Sequence, residues 1–244
     1  MPPETTVPTG IAPLSARSVV LSLLLGRHPD RMSPAELATA GGYFGIPPST
    51  LRVALTRAVA AGDLRRAEGD YVLGERLVRR QRHQDEAVDD AGTPWDGDWE
   101  MAVVVVTGRS GADRAALRDV LATHRLAELR EGVWTRPANL GRARGYAPEP
   151  VLTTFRCRPD GDPAALAADL WDLDGWAAVG RHLVDLLART TAPAARLAVA
   201  AQLVRHLTAD PLLPAELLPR DWPGTRLRAT YADYRAELRD LALG

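Results

Sequence analysis

Apolar residues recur at helical spacing in three runs near the start of the chain, and the breaks between them carry turn chemistry. Ala16 to Leu25 (ARSVVLSLLL) reads as a buried helix ending at Gly26. Ser33-Pro34-Ala35-Glu36 is a capping box: the Ser33 hydroxyl can accept the Glu36 amide, the Glu36 carboxylate can accept the Ser33 amide, and Pro34 suits the first helical position. Gly45-Ile46-Pro47-Pro48 interrupts the pattern, and Ser49 to Ala61 resumes it until Gly62 closes the helix. Two helices joined by a short Gly-containing turn form a helix-turn-helix.

At about 100° per residue, Leu51, Ala54, Leu55, Ala58 and Val59 share the buried arc of the second helix. Ser49, Val53, Thr56 and Ala60 centre on the opposite side, with Arg52 and Arg57 on its two edges. A ridge of small side chains bordered by guanidinium groups suits a major groove. An amphipathic helix with a solvated face gives the same pattern. Asp63 to Leu73 then reads as a tight two-stranded hairpin turning at Glu68-Gly69-Asp70, which completes the winged-helix order. Arg65 and Arg66 fall where a wing meets the DNA backbone, although arginines on an edge strand also keep it soluble. The expected DNA-binding residues are Ser49, Thr50, Arg52, Val53, Thr56, Arg57, Arg65 and Arg66.

Glu75 to Asp90 is polar and helix-favouring, with basic residues early and acids late. That order opposes the helix dipole, so a connector helix here needs outside support. Next, Trp99 to Thr107 predicts a buried strand, and Ala112 to His124 a helix with Leu117, Val120, Leu121 and His124 on one side. Leu126 to Thr135 and Val151 to Arg158 predict two further strands, followed by a helix over Asp162 to Leu170. Strand, helix, strand, strand, helix fits a ferredoxin-like unit, completed by another strand or a partner chain. Three more helices are expected over Trp176–Thr190, Ala194–Thr208 and Arg226–Leu243, packed on the middle domain. Between them, Asp210-Pro211-Leu212-Leu213-Pro214 and Asp221-Trp222-Pro223-Gly224 read as ordered loops, because their Leu and Trp side chains would otherwise face water.

Composition narrows the picture. The 244 residues are 46% hydrophobic, as expected of folded domains. The net charge of −1 gives no global nucleic-acid footprint, but its distribution is uneven. Residues 11 to 84 hold 11 Arg against 6 acids, and residues 49 to 84 hold 8 Arg against 4, so positive charge travels with the winged helix. Every one of the 30 basic residues is arginine, a sign of GC-rich coding that weakens any argument from arginine choice at one site. The Pro- and Thr-rich first ten residues read as a disordered tail without signal-peptide features, and no apolar run nears the roughly 20 residues that span a bilayer. A cytoplasmic location follows as an expectation.

Catalytic signals are weak. His28, His83, His124, His182 and His206 show no paired-ligand spacing, and Cys157 reads as a small core residue on a strand. Gly108-Arg109-Ser110-Gly111 lacks the lysine and spacing of a phosphate loop and reads as a strand-to-helix turn. Trp99, Trp134, Trp171, Trp176 and Trp222 leave two readings open: an aromatic or acyl pocket with Arg136, Arg142 or Arg144 facing phosphates, or the core itself. No cofactor or metal is expected.

These residues resemble the PaaX-type transcriptional repressors of bacteria. Phe44-Gly45-Ile46 with Leu51-Arg52-Val53-Ala54-Leu55-Thr56-Arg57 is similar to that family's turn and recognition helix. Trp95-Asp96-Gly97-Asp98-Trp99, Gly132-Val133-Trp134-Thr135-Arg136-Pro137, Leu170-Trp171-Asp172-Leu173 and the proline motifs at 210–214 and 217–224 continue the likeness over nearly the whole chain. The resemblance implies an α+β chain with an N-terminal winged helix-turn-helix, a central ferredoxin-like domain and a C-terminal helical domain. The expected boundaries are a tail at 1–10, the winged helix at 11–74, a connector at 75–94, the ferredoxin-like domain at 95–172 and the helical domain at 173–244. It also implies a homodimeric, non-enzymatic repressor of double-stranded operator DNA, released by phenylacetyl-CoA or another aryl- or acyl-CoA, with Trp99, Trp134, Arg136, Arg142 and Arg144 as expected effector residues. The middle domain of that family resembles the small CRISPR nucleases, which hold metal with an acidic residue at the end of the first strand. Here that strand ends Val106-Thr107-Gly108-Arg109, without a carboxylate, which argues against a metal-dependent nuclease. A winged-helix protein-interaction adaptor is the other alternative.

Overall fold

The computed structural model describes residues 11–89 and 92–243; the expected tail at 1–10 lies outside the described residues. These residues divide into two compact units, one comprising 92–176 with Pro211–Trp222, the other 11–89 with Ala177–Asp210 and 223–243.

In the second of these, α1 (Ala16–Leu25) is followed by a two-residue strand β1 (Arg31–Met32), then α2 (Pro34–Tyr43), α3 (Pro48–Ala60), β2 (Leu64–Ala67), β3 (Asp70–Leu73) and α4 (Glu75–Asp89). The capping box forms at Ser33, with both the Glu36 amide and the Glu36 carboxylate engaged. The wing is a three-stranded antiparallel sheet in the order β1-β3-β2. Its first strand was not expected from the sequence, since two residues carry no alternation to detect. Val20, Leu24, Met32, Leu37, Leu51, Leu55, Leu64, Leu73 and Leu77 form one core behind the helices and the wing.

Three helices from the end of the chain complete this unit. They are α7 (Leu173–Arg189), which starts in the other unit, α8 (Pro193–Thr208) and α9 (Gly224–Leu243). Contrary to the expectation that they cover the middle domain, α8 packs on α4 and α1, and α9 packs on α8 and α2. The physical reason lies in α4: its dipole-opposing charge order is offset from outside, by packing against α8 and by two specific ties. Gln81 is buried, and its Nε2 donates to the carbonyls of Leu24, Leu25 and Arg27 at 3.0–3.2 Å, closing the C-terminal end of α1. Arg228 on α9 donates to the Ala87 carbonyl at 3.0 Å and to the buried Asp210 carboxylate at 2.7 Å.

The other unit contains β4 (Trp99–Val104), α5 (Gly111–Thr123), β5 (Ala127–Arg130), β6 (Val133–Pro137), β7 (Leu152–Cys157) and α6 (Pro163–Leu170). The expected single strand over Leu126–Thr135 is a hairpin, β5 and β6 turning at Gly132 (φ 77°), and β4 stops at Val104 rather than Thr107. All pairings are antiparallel, in the order β5-β6-β4-β7. That is the ferredoxin-like strand order, with the second crossover helix replaced by the loop 138–151. One face packs on α5 through Ala102, Leu117, Leu121, Trp134, Tyr146 and Leu152, while Val120 stays exposed. The other face packs through Trp99 on Ala167, Leu173, Leu213 and Leu217, so the 210–214 proline segment is an ordered part of this core.

Candidate nucleic-acid interface

The α2–α3 turn is built from backbone geometry that the sequence encodes at Gly45. At φ 68° this residue ends α2 in the left-handed region, its amide bonding Gly42 O while the Ile46 amide bonds Gly41 O. The same arrangement ends α3 at Gly62 (φ 71°), with the Gly62 and Asp63 amides on Val59 O and Ala58 O. These two reversals fix the direction in which α3 leaves α2 and the direction in which the wing leaves α3.

Leu51, Ala54, Leu55 and Ala58 are buried, so the opposite face of α3 is fixed outward. Ser49, Thr50, Arg52, Val53, Thr56 and Arg57 are all exposed there, Val53 to 49%. Val59, expected on the buried arc, is 36% exposed at its margin. The Thr56 hydroxyl donates to the Arg52 carbonyl at 3.0 Å. Neither Arg52 nor Arg57 makes an ion pair among the described residues.

Arg65 and Arg66 are exposed on β2. Glu68 and Gly69 both have positive φ (54° and 92°) between the paired residues Ala67 and Asp70, a type I′ turn that matches the strand twist. The Arg66 guanidinium lies 4.4 Å from the centroid of the Tyr71 ring, which holds it against the wing. Arg31 pairs with Glu68 at 2.8 Å and closes the wing tip.

Beneath the junction of α3 and β2, the Asp63 side chain is 1% exposed and is bonded by Arg17 and Arg76. Burial pushes its carboxyl pKa upward, but the hydrogen bonds from Arg76 and Arg17 outweigh this and hold it below the ordinary value. The sequence reading missed Asp63, whose only signal was an acid between a helix-ending glycine and a strand.

The expected effector residues are not gathered into one pocket. Trp99 (1% exposed) and Trp134 (7%) fill cores on opposite faces of the sheet, and Trp176 stacks on Trp222 at 4.3 Å, so these tryptophans are core. Arg136 is 1% exposed, donating to Pro137 O, Asn139 Oδ1 and Leu212 O at 2.9–3.1 Å. Burial pushes its guanidinium pKa down to about 9, opposed by the attraction of the buried Glu100, which also accepts from the Tyr146 hydroxyl. Arg142 and Arg144 are exposed, on the carbonyls of His124 and Phe155.

Ser110 caps α5 through the Asp113 amide, so the 108–111 segment is a helix start. Cys157 is half-buried, and burial raises its thiol pKa. Among the described residues, no group of three or more His, Cys, Asp or Glu is placed to hold a metal ion.

Three family models match the chain: the PaaX-like protein model over residues 15–77, the PaaX protein central Cas2-like domain over 92–161, and the PaaX-like protein C-terminal domain over 173–243. The chain belongs to the PaaX-like family. Its winged helix, Cas2-like sheet and C-terminal helices are therefore the family's three parts in order, in a PaaX-like regulator. An uncharacterized protein, Rv0674 from Mycobacterium tuberculosis, has a solved structure 46% identical in sequence, with a TM-score of 0.80 over 93% of this PaaX-like chain and 97% of that one. No curated protein matches the chain. No described helix is long and apolar enough to cross a membrane.

Proposed function

We propose that this PaaX-like regulator is a cytoplasmic repressor that binds operator DNA as a homodimer and is released by a small acyl effector, with phenylacetyl-CoA or another aryl- or acyl-CoA as the leading class. The observation that carries the reading is the exposed ridge of α3, small in the middle and edged by Arg52 and Arg57, beside a wing bearing Arg65 and Arg66. Ser49, Thr50, Val53 and Thr56 meet base edges, Arg52 and Arg57 reach bases or phosphates, and the wing arginines hold the backbone. A two-fold dimer on a palindromic operator supplies one recognition helix per half-site.

A fluorescence-anisotropy titration tests this. The full chain is measured against its own upstream duplex and a scrambled duplex of equal length, with and without phenylacetyl-CoA. Tight, salt-dependent preference for the upstream duplex, weakened by the thioester, is expected. Equal binding to both duplexes at every salt concentration contradicts the operator assignment.

A further inference from the structure

We infer that the unit containing the winged helix carries its own ligand site, a cavity between α1, α4, α8 and α9 that takes an apolar acyl group adjoining an acceptor oxygen and a negative charge. The cavity is about 90 Å³. Its wall is apolar, from Leu23, Leu25 and Met32 on one side to Leu197, Ala201 and Val204 on the other. That volume holds a ring or a short branched chain, well below the roughly 300 Å³ at which pockets for drug-sized molecules begin, so any larger anionic part must lie at the mouth.

Two independent observations point to such a ligand. Tyr234 lines the cavity, is 4% exposed, and its hydroxyl has no hydrogen-bond partner among the described residues. A buried hydroxyl is normally paired, and a carboxylate or thioester oxygen would accept from it. Arg80, Arg235 and Arg239 also line the cavity, and none makes an ion pair among the described residues, whereas Arg27 beside them is bound to Glu36 at 2.5 Å. Close arginines without counter-charges attract an anion. Arg205, whose pKa is lowered by burial and then by Arg80, adds to the same positive field.

The position couples the cavity to the DNA-facing surface. α1 packs directly on α3, and Met32 lies on β1 opposite Tyr71, the ring beneath Arg66. An occupant that spreads α1 and β1 from α8 and α9 therefore acts on both the recognition helix and the wing. The coupling and the choice of acyl probes rest on the proposed effector-released repressor reading; the cavity, its unpartnered Tyr234 hydroxyl and its arginines do not.

Isothermal titration of the full chain without DNA tests the site, using phenylacetate, phenylacetyl-CoA and CoA alone. Binding of phenylacetate or phenylacetyl-CoA, at least about tenfold tighter than CoA, is expected, and which of the two binds identifies the source of the acyl group. Ala201→Phe, which fills the cavity, and Arg80→Ala with Arg239→Ala, which removes exposed charge only, should each weaken that binding by about tenfold or more. The inference is overturned if neither acyl probe binds, if CoA alone binds as tightly as its thioester, or if the affinity is the same in both variants as in the parent. Ligand binding by a chain that ignores its upstream duplex would keep the site and remove the operator reading.

Discussion

The recognition surface and the central sheet use arginine in opposite ways. On α3 and the wing, Arg52, Arg57, Arg65 and Arg66 are exposed and make no ion pair among the described residues, above a core of leucine and alanine that would hold its shape without them. In the sheet unit, Arg136 is sealed in, held by three hydrogen-bond acceptors and facing the buried Glu100. The first group is available for binding because the fold does not depend on it; the second is part of the fold and unavailable to a ligand. Environment, not residue type, decides which arginine is open to a partner.

The sharpest way to break this comparison is Arg136→Met. It removes the positive charge that lies across the strands from the buried Glu100 and leaves the Leu212 carbonyl with one donor fewer, and should cost about 3–5 kcal/mol in denaturant unfolding. A loss below about 1 kcal/mol would mean that Arg136 is not the structural member of the pair of roles.

Arg52→Ala with Arg57→Ala should do the reverse, weakening binding to the upstream duplex by about 2–4 kcal/mol while moving unfolding by less than about 0.5 kcal/mol. Salt titrations of each single variant then separate base contact from phosphate contact, since only the latter lowers the salt slope by about 1 per residue.

Asp63→Asn falls between the two classes, and about 1–2 kcal/mol of stability should go with it. The folded carboxyl pKa is lowered, so its contribution is complete above the unfolded value of about 4 and disappears as pH falls through the folded value. Acid unfolding curves of parent and variant should therefore converge only once the pH has fallen below the folded value. The smallest effect belongs to Tyr71→Leu, which removes the ring under Arg66; it should weaken duplex binding by about 0.5–1 kcal/mol with the salt slope unchanged.

Much of this was legible in the sequence because the information is local. The Ser33 box, the helix ends at Gly45 and Gly62, and the hairpin at Glu68-Gly69 are each specified within four or five residues, and all lie where the pattern put them. The exposed face of α3 followed from periodicity alone. What could not be read was pairing between distant segments: the short β1, the return of α8 and α9 to α4, and the tie of Arg136 to Leu212 across 76 residues. The tryptophans stayed ambiguous between pocket and core for the same reason, since nothing in their spacing says that Trp99 and Trp134 face opposite ways; only the register of β4 on β6 does.

The order in which the winged-helix unit is assembled also matters while the chain is being made. A ribosome releases α1 through α4 early, then the whole central sheet, and only afterwards α8 and α9, on which α4 and the floor of α1 depend. α3 is thus synthesised long before its scaffold is complete. A message truncated in its last third would yield not a shorter regulator but a nascent fragment with uncovered apolar helix faces, fit for chaperones and proteases.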